Sequence, residues 1–266
     1  MLADGLAGRT ANKALALLHG VFELVRERHG LATNPVALAR RATQRRRKFE
    51  QYLTATEIMA LVAKAPSPQE AVLYEVAACT GLRWGELRAL RLGDIDFAGG
   101  YLYVNRNWPV HGVETEPKSG KPRAVPLWDQ AAAALDSLTR RQRFTSDKDY
   151  AFVNDVGAPL GYDWTAKRFK LARDAAGLTS PRPADRELTF HDPRHSSGTL
   201  AAAIYTSLRE VQEYMGHASV TTTELYAHFV PRRDAAARGT AGFASMLGDA
   251  EPCPELCPEP GTCPGY

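Results

Sequence analysis

Two histidines and an arginine lie close together in the segment F-H-D-P-R-H-S-S-G, residues 190–198. His191 and His195 are four residues apart, which on a continuous helix would place them on one face, as in H-E-x-x-H zinc motifs. Position 192 is an aspartate rather than the glutamate of that motif, and Pro193 would break a helix that passed through it. We therefore expect Asp192 to be an N-cap and Pro193 the first helical residue, with His191 in the preceding turn.

This arrangement favours a bound anion over a metal ion. A helix start offers N–H groups and the positive end of the helix dipole, both of which attract negative charge. Arg194 in the first turn adds a guanidinium that matches phosphate oxygens. A buried, hydrogen-bonded structural cluster would explain the same residues if no other part of the chain joined them.

Two further motifs carry residues suited to phosphate chemistry. The segment T-G-L-R-W-G-E places Arg83 at a helix start after a glycine, with Glu86 three residues later. The segment G-H-A-S-V-T-T-T-E-L-Y places Tyr226 nine residues after His217, on a helix that Ser219 can cap. A phenol has a pKa near 10, so a nucleophilic tyrosine needs cationic neighbours and a proton acceptor.

The elements that must position these residues are mainly helical. Apolar spacing and capping residues predict a helix over 10–29 and a new one from Thr54, after a domain boundary near residue 50. Three short runs, D-I-D-F, Y-L-Y-V-N and R-A-V-P-L, predict antiparallel strands, the last two joined by the loop P-K-S-G-K. Further helices are predicted over 69–79, near Arg83, and over 129–142, 163–176, 193–203, 207–214, 220–229 and 233–247. The sequence thus predicts a mainly α fold with a small three-stranded antiparallel sheet.

Length and composition allow one full domain and a smaller one, because the chain has 266 residues, of which 44% are hydrophobic. No apolar run is long enough for a membrane span, and no secretion signal is visible, so we expect a cytoplasmic protein. Three of the four cysteines, Cys253, Cys257 and Cys263, lie in a proline-rich acidic tail that we expect to be disordered. No disulfide framework and no four-ligand zinc site is predicted.

Positive charge is concentrated near the N-terminus. Residues 1–50 hold ten Lys/Arg and four Asp/Glu, whereas the whole chain carries a net charge of only +3. Such a segment either contacts nucleic-acid phosphates or forms a solvated linker, and charge alone leaves both open. The candidate DNA-binding residues are Arg40, Arg41, Arg45, Arg46, Arg47 and Lys48.

Taken in order and spacing, these motifs resemble the tyrosine recombinase (phage integrase) family from about Tyr52 to Phe229. The resemblance implies a DNA breaking-and-rejoining enzyme that acts at a specific site through a 3′-phosphotyrosine, without a metal or ATP. Residues 50–248 match the catalytic domain. Residues 1–49 match only the last half of the helical core-binding domain with its basic linker, and 249–266 form the tail.

The resemblance also implies residue roles. Tyr226 matches the nucleophile, and Arg83 and Arg194 match the paired arginines that hold the non-bridging phosphate oxygens. His191 matches the general base, and His217 matches a histidine that donates to a phosphate oxygen.

Supporting residues follow from the same resemblance. Lys118 matches the hairpin lysine that protonates the departing 5′-oxygen, with Lys121 as the alternative in the same loop. Glu86 and His195 match residues that support the catalytic side chains without contacting the phosphate themselves. Pro193 departs from the family, which usually has a large apolar residue there, and we expect it to preserve the helix start.

The expected partners are a double-stranded recombination site and three further copies of the chain in a tetramer, with accessory DNA-bending or directionality factors and no membrane. We expect a bacterial, nucleoid-associated enzyme that integrates or excises a phage or mobile element. Two alternatives stay open from the sequence: a DNA-binding fragment without useful catalysis, and a type IB topoisomerase that relaxes DNA without exchanging partners.

Overall fold

The computed structural model describes residues 8–43, 52–117, 122–179, 186–205 and 207–227. The chain divides into two compact units, Met1–Lys48 and Phe49–Tyr266. None of the helices in these ranges is both long and apolar enough to cross a membrane.

The first unit is built on helix α1, Gly8–His29. Asn12 forms a reciprocal pair with the backbone of Ala42, donating to its carbonyl at 2.9 Å and accepting from its N–H at 2.8 Å. Asn34 is buried and donates to the His19 carbonyl at 3.1 Å, so the segment after α1 folds back along the helix. These side-chain amides replace backbone pairing in a stretch that has no regular structure of its own.

The second unit contains eight helices and one sheet within the described residues, and it agrees with the predicted fold class. The strands β1, β2 and β3 pair in that order, antiparallel, with Leu102 opposite Ile95 on one side and Val125 on the other. A short 3-10 helix, Leu92–Asp94, precedes the sheet. The elements are α2 (Ala55–Ala63), α3 (Pro68–Thr80), α4 (Trp84–Arg88), β1 (Ile95–Asp96), β2 (Tyr101–Val104), β3 (Arg123–Pro126), α5 (Asp129–Thr139), α6 (Tyr162–Ala175), α7 (Asp192–Ile204), α8 (Leu208–Met215) and α9 (Val220–Ala227).

Local sequence explains where several helices begin and end. Thr54 caps α2, accepting from the Glu57 N–H while the Glu57 carboxylate accepts from the Thr54 N–H, as predicted. Helix α3 ends at Gly81 and α8 ends at Gly216, both in the left-handed region, with φ of 60° and 62°. These two glycines turn the chain at the two points where predicted site residues follow, Arg83 and His217.

The core of the second unit is arranged around α3, which is buried on most of its faces. Tyr74 is fully buried and packs edge-on against Phe169, with ring centroids 5.4 Å apart. Helix α3 also packs against α2, α5 and α7. Because α7 carries the F-H-D-P-R-H segment, the central helix supports the candidate site directly.

Some predicted boundaries differ from the observed ones. The helix predicted over 129–142 ends at Thr139, since residues 141–143 bend away and Arg141 donates to the Phe144, Tyr150 and Ala151 carbonyls. The predicted helix 233–247 and the tail 249–266 lie outside the described residues.

Candidate active site

The start of α7 corrects the predicted role of Asp192. Helix α7 begins at Asp192 itself, and the residue before it, His191, has a helical backbone rather than the extended one expected of an N-cap. The Asp192 carboxylate accepts from the Thr189 N–H at 2.6 Å and from both terminal nitrogens of Arg186 at 2.6 and 3.0 Å. It therefore ties down the segment before the helix instead of capping the helix, and Pro193 is the second helical residue.

Tyr226 on α9 is buried against α7, with 3% of its surface exposed. Its hydroxyl lies 3.0 Å from His195 Nδ1. Its ring covers Gly198, where an added Cβ would lie 2.6–2.8 Å from three ring carbons. The phenol ring can pack this closely against α7 only because residue 198 has no side chain.

His217 also packs against the phenol ring of Tyr226. Its ring stacks on Tyr226, with centroids 6.0 Å apart and an interplanar angle of 10°. Its Nδ1 lies 3.0 Å from the hydroxyl of Thr223, which is fully buried. With the Thr223 hydroxyl as donor, the proton of a neutral His217 sits on Nε2, where it can be donated to a ligand.

Arg194 and Arg83 converge on the same region from α7 and from the turn before α4. Arg194 is 4% exposed and donates to the carbonyl oxygens of Gly81 and Met215, the latter at 2.7 Å. Arg83 donates to the Gly216 carbonyl at 2.7 Å. Both arginines thereby bind the turn that carries His217.

Burial of this much positive charge is unfavourable without an anion. Desolvation, followed by the charge of nearby Arg83, lowers the pKa of Arg194 to about 9. Desolvation raises the pKa of Tyr226, and the charges of Arg194 and Arg83 oppose that rise. Both arginines therefore act on the phenol and favour its anionic form.

The histidines of the site are neutral at pH 7. Desolvation, followed for His217 by the charge of Arg194, lowers the pKa of His195 to about 2 and that of His217 to about 3. Partial desolvation and then Arg194 also lower the pKa of His191. His191 is exposed to solvent at the start of α7, and its ring packs edge-on against His195 with centroids 4.7 Å apart.

Glu86 binds two arginines, one of which the sequence analysis missed. It accepts from Arg83 Nη1 at 3.0 Å and from Arg123 Nη1 and Nη2, both at 2.8 Å. Desolvation would raise the pKa of Glu86, but hydrogen bonds and charge from Arg123 and then from Arg83 lower it to about 2. Arg123 lies in the same P-K-S-G-K-P-R segment as the candidate lysine, and that proximity was the available signal.

The structure brings together six of the predicted site residues: Arg83, Glu86, Arg194, His195, His217 and Tyr226. His191 joins them through its ring contact with His195. Lys118 and Lys121 lie outside the described residues, as do Arg45, Arg46, Arg47 and Lys48. Arg40 and Arg41 are exposed in the first unit. In the described ranges, no group of three or more His, Cys, Asp or Glu is placed to hold a metal ion.

The family model described as the phage integrase family matches residues 51–233. A tyrosine recombinase XerC from Herpetosiphon aurantiacus is 29% identical over 236 residues, covering 84% of this chain and 70% of the relative. The XerC of Haemophilus ducreyi is 28% identical over 230 residues, covering 85% of this chain and 70% of the relative.

Solved structures agree on the fold. The Tn1549 transposon integrase, solved with transposon right end DNA, superposes with a TM-score of 0.70 at 19% identity, over 92% of this chain and 82% of that one. A lambda integrase tetramer bound to a Holliday junction gives a TM-score of 0.62 at 26% identity, over 82% of this chain and 61% of that one.

The fold and these matches define the class: a DNA-binding, site-specific tyrosine recombinase, which cuts and rejoins DNA. The family model covers well over half of the chain, and the chain belongs to the phage integrase family. Catalysis through a phosphotyrosine is general to that family.

Proposed function

We propose that this chain recombines DNA with Tyr226 as its nucleophile and with Arg83 and Arg194 as the clamp on the scissile phosphate. The observation that carries the proposal is the set of residues around the Tyr226 hydroxyl. Its hydroxyl is held 3.0 Å from His195 Nδ1, and two arginines act on it electrostatically. A second neutral histidine, His191, packs against the His195 ring and is the proposed proton acceptor. A proton acceptor and cationic neighbours are what a tyrosine needs to attack at neutral pH.

In this proposal the arginines and His217 stabilise the transition state. Attack places extra negative charge on the non-bridging oxygens, and donors already aimed at that charge supply a large part of catalysis. The positive charge of Arg194 is poorly stabilised in the DNA-free protein, because its surroundings lower its pKa to about 9. A bound phosphate would stabilise that charge. His217 Nε2 would donate to one phosphate oxygen.

Proton transfer needs an acceptor and a donor. We propose that His195 holds the Tyr226 hydroxyl in the DNA-free protein. His191, exposed at the start of α7, then accepts the proton once DNA is bound. Lys118 would protonate the departing 5′-oxygen, with Lys121 as the alternative in the same loop. Neutral histidines support this assignment, because only the neutral form accepts a proton.

At the level of the organism, we propose integration or excision of a phage or mobile element by a tetramer on DNA. The transposon integrase and the lambda tetramer support this. Residues 1–49 would act as the helical DNA-binding domain and 50–248 as the catalytic domain, with the basic residues from Arg40 to Lys48 on DNA phosphates. That segment is where the chain concentrates its positive charge.

The test is covalent capture on nicked suicide duplexes drawn from a randomised pool, in which the wild-type protein selects its own site. Wild type should form a covalent adduct with the selected duplex, and Tyr226→Phe should form none. Tyr205→Phe is the matched control, because Tyr205 packs on Tyr214 in α8 and should leave capture unchanged. An adduct formed by Tyr226→Phe at the wild-type rate would disprove the nucleophile assignment.

The same material separates the competing functions. Binding of the selected duplex without an adduct would indicate a DNA-binding protein without catalysis. Relaxation of a supercoiled plasmid that lacks the selected site would indicate a type IB topoisomerase. His191→Gln should slow capture by about 10²-fold if His191 accepts the proton. If only His195→Gln slowed it, the acceptor would be His195.

A further inference from the structure

Arg123 is a partly buried cation that shares a carboxylate with Arg83, and none of the sequence motifs assigned it a role. It is the first residue of β3, opposite Val104 of β2. Its two terminal nitrogens form a bidentate pair with Glu86, at 2.8 Å each, and the side chains are only 11% and 1% exposed. A bidentate pair in this environment is rigid, because opening it would leave two largely desolvated charges without a partner.

Glu86 is shared between Arg123 and Arg83. The same carboxylate accepts from the Arg83 N–H at 2.8 Å and from Arg83 Nη1 at 3.0 Å. Without Arg123, this carboxylate would have Arg83 as its nearest counter-charge and would neutralise it. With Arg123 present, the negative charge of Glu86 is already compensated, so the positive charge of Arg83 remains available for a ligand.

Arg123 also supports the turn that carries His217. Gly216 lies directly on the guanidinium: an added Cβ there would be 2.6 Å from Cζ and 2.7 Å from Nε of Arg123. Arg83 donates to the carbonyl of the same glycine. One guanidinium thus contacts both the partner of Arg83 and the backbone next to His217.

The Nε–H of Arg123 is a further donor that no described residue accepts from. Its Nε is buried and has no hydrogen-bond partner in the part of the chain that the structure describes. A cavity of about 280 Å³, lined in part by Arg123, Gly216 and His217, opens beside it. The guanidinium therefore borders an open space next to the site rather than the apolar core.

We propose that Arg123 is a positioning residue for the recombination reaction: it holds and neutralises Glu86, so that Arg83 keeps both its orientation and its charge for the scissile phosphate. This inference rests on the proposed roles of Arg83 and Tyr226. It predicts that loss of Arg123 has the chemical signature of losing Arg83, although Arg123 itself does not touch the phosphate.

The activity test compares Arg123→Gln, Arg123→Lys and Arg83→Gln on the selected suicide duplex. Arg123→Gln should slow covalent capture by about 10²-fold, because Arg83 is a preorganised donor to developing charge. Arg123→Lys should recover only part of the rate, since an ammonium cannot form the bidentate pair. Arg106→Gln is the matched control: Arg106 pairs with Asp94 at 3.1 Å near the end of β2, and its loss should change capture by less than about 3-fold.

A second substrate distinguishes positioning from a general folding defect. In a duplex with a methylphosphonate at the scissile position, one negatively charged non-bridging oxygen is replaced by a methyl group, so less arginine charge is needed. The defects of Arg83→Gln and Arg123→Gln should both shrink on this substrate, by about 10-fold or more. The double variant should be no slower than Arg83→Gln alone.

A measurement on the DNA-free protein tests whether Arg123 determines the environment of the Arg83 guanidinium. The Nη protons of Arg83 should give the same NMR signals in wild type and Arg106→Gln, and shifted signals in Arg123→Gln, because Glu86 would then pair with Arg83 alone. Unchanged Arg83 signals in Arg123→Gln would overturn the inference whatever the capture assay shows. Equal defects on both substrates, or multiplicative losses in the double variant, would overturn it too. Failure of the wild type to capture DNA would instead count against the proposed function.

Discussion

Tyr226, the proposed nucleophile, is packed against residues that are proposed to assist it. It is almost fully buried, and its hydroxyl is hydrogen-bonded to His195. Its ring packs against the His217 ring and against the backbone of Gly198. Such tight packing fixes the phenol before DNA arrives and lowers the entropic cost of attack. It also makes the reaction sensitive to any side chain that shifts the ring.

Gly198→Ala tests that sensitivity. The new methyl group would lie 2.6–2.8 Å from the Tyr226 ring, so the ring must move and capture should slow by about 10²-fold. The measurement is the rate of adduct formation together with the thermal midpoint. Gly20→Ala in α1 is the control, because nothing lies within 4 Å of its added Cβ and the helix should gain up to about 1 kcal/mol. A wild-type capture rate in Gly198→Ala would show that close packing of the Tyr226 ring on residue 198 is not needed.

At the scale of the elements, α7 is the part of the fold that unites the site. It supplies Arg194 and His195, receives the Tyr226 ring on Gly198, and packs against the central helix α3. Its Ser196 accepts from the buried Leu53 N–H at 2.7 Å, which attaches the first described residues of the second unit to α7. The start of α7 is set by Asp192, which is fully buried and binds Arg186 and the Thr189 N–H.

Asp192→Ala should therefore destabilise the second unit as a whole. It removes a buried carboxylate that pairs with Arg186 and leaves the Thr189 N–H without its acceptor, which should cost about 3 kcal/mol of unfolding free energy. Urea unfolding should show a lower midpoint with an unchanged slope. Asp136→Ala is the control, since Asp136 and Arg140 form an exposed pair on α5 and its loss should cost less than about 1 kcal/mol. Equal losses in the two variants would contradict this role of Asp192.

At the scale of the whole molecule, the neutral histidines link stability to pH. His195 and His217 have pKa values lowered from 6.5 to about 2 and about 3 in the folded state, so the unfolded chain binds more protons below pH 6.5. Stability from these groups is complete above pH 6.5 and is lost as the pH falls, by about 1.4 kcal/mol per pH unit for each histidine.

The measurement is the unfolding free energy from pH 7 to pH 5. His195→Gln and His217→Gln should each flatten its pH dependence, because each removes one proton taken up on unfolding. His29→Gln is the comparison variant, because His29 is an exposed histidine at the end of α1 in the first unit. An equally steep slope in all three variants would mean that other groups govern the acid sensitivity.

Much of the site follows from short-range chemistry. Capping at Thr54, the turns at Gly81 and Gly216 and the three short strands depend on neighbours within a few residues. The same holds for the motifs around Arg83, Arg194, His217 and Tyr226, whose spacing carries the family resemblance. Sequence determined these features because backbone propensity and turn geometry are local.

Tertiary structure alone decided which partner each of these side chains meets. Glu86 finds Arg123 across 37 positions, and Tyr226 meets His195 across 31, although the motifs suggested His191 as its partner. Asp192 turned out to bind Arg186 instead of capping α7. A carboxylate or hydroxyl takes whichever donor the packing brings within about 3 Å, and that distance depends on how distant helices dock, which no local pattern specifies.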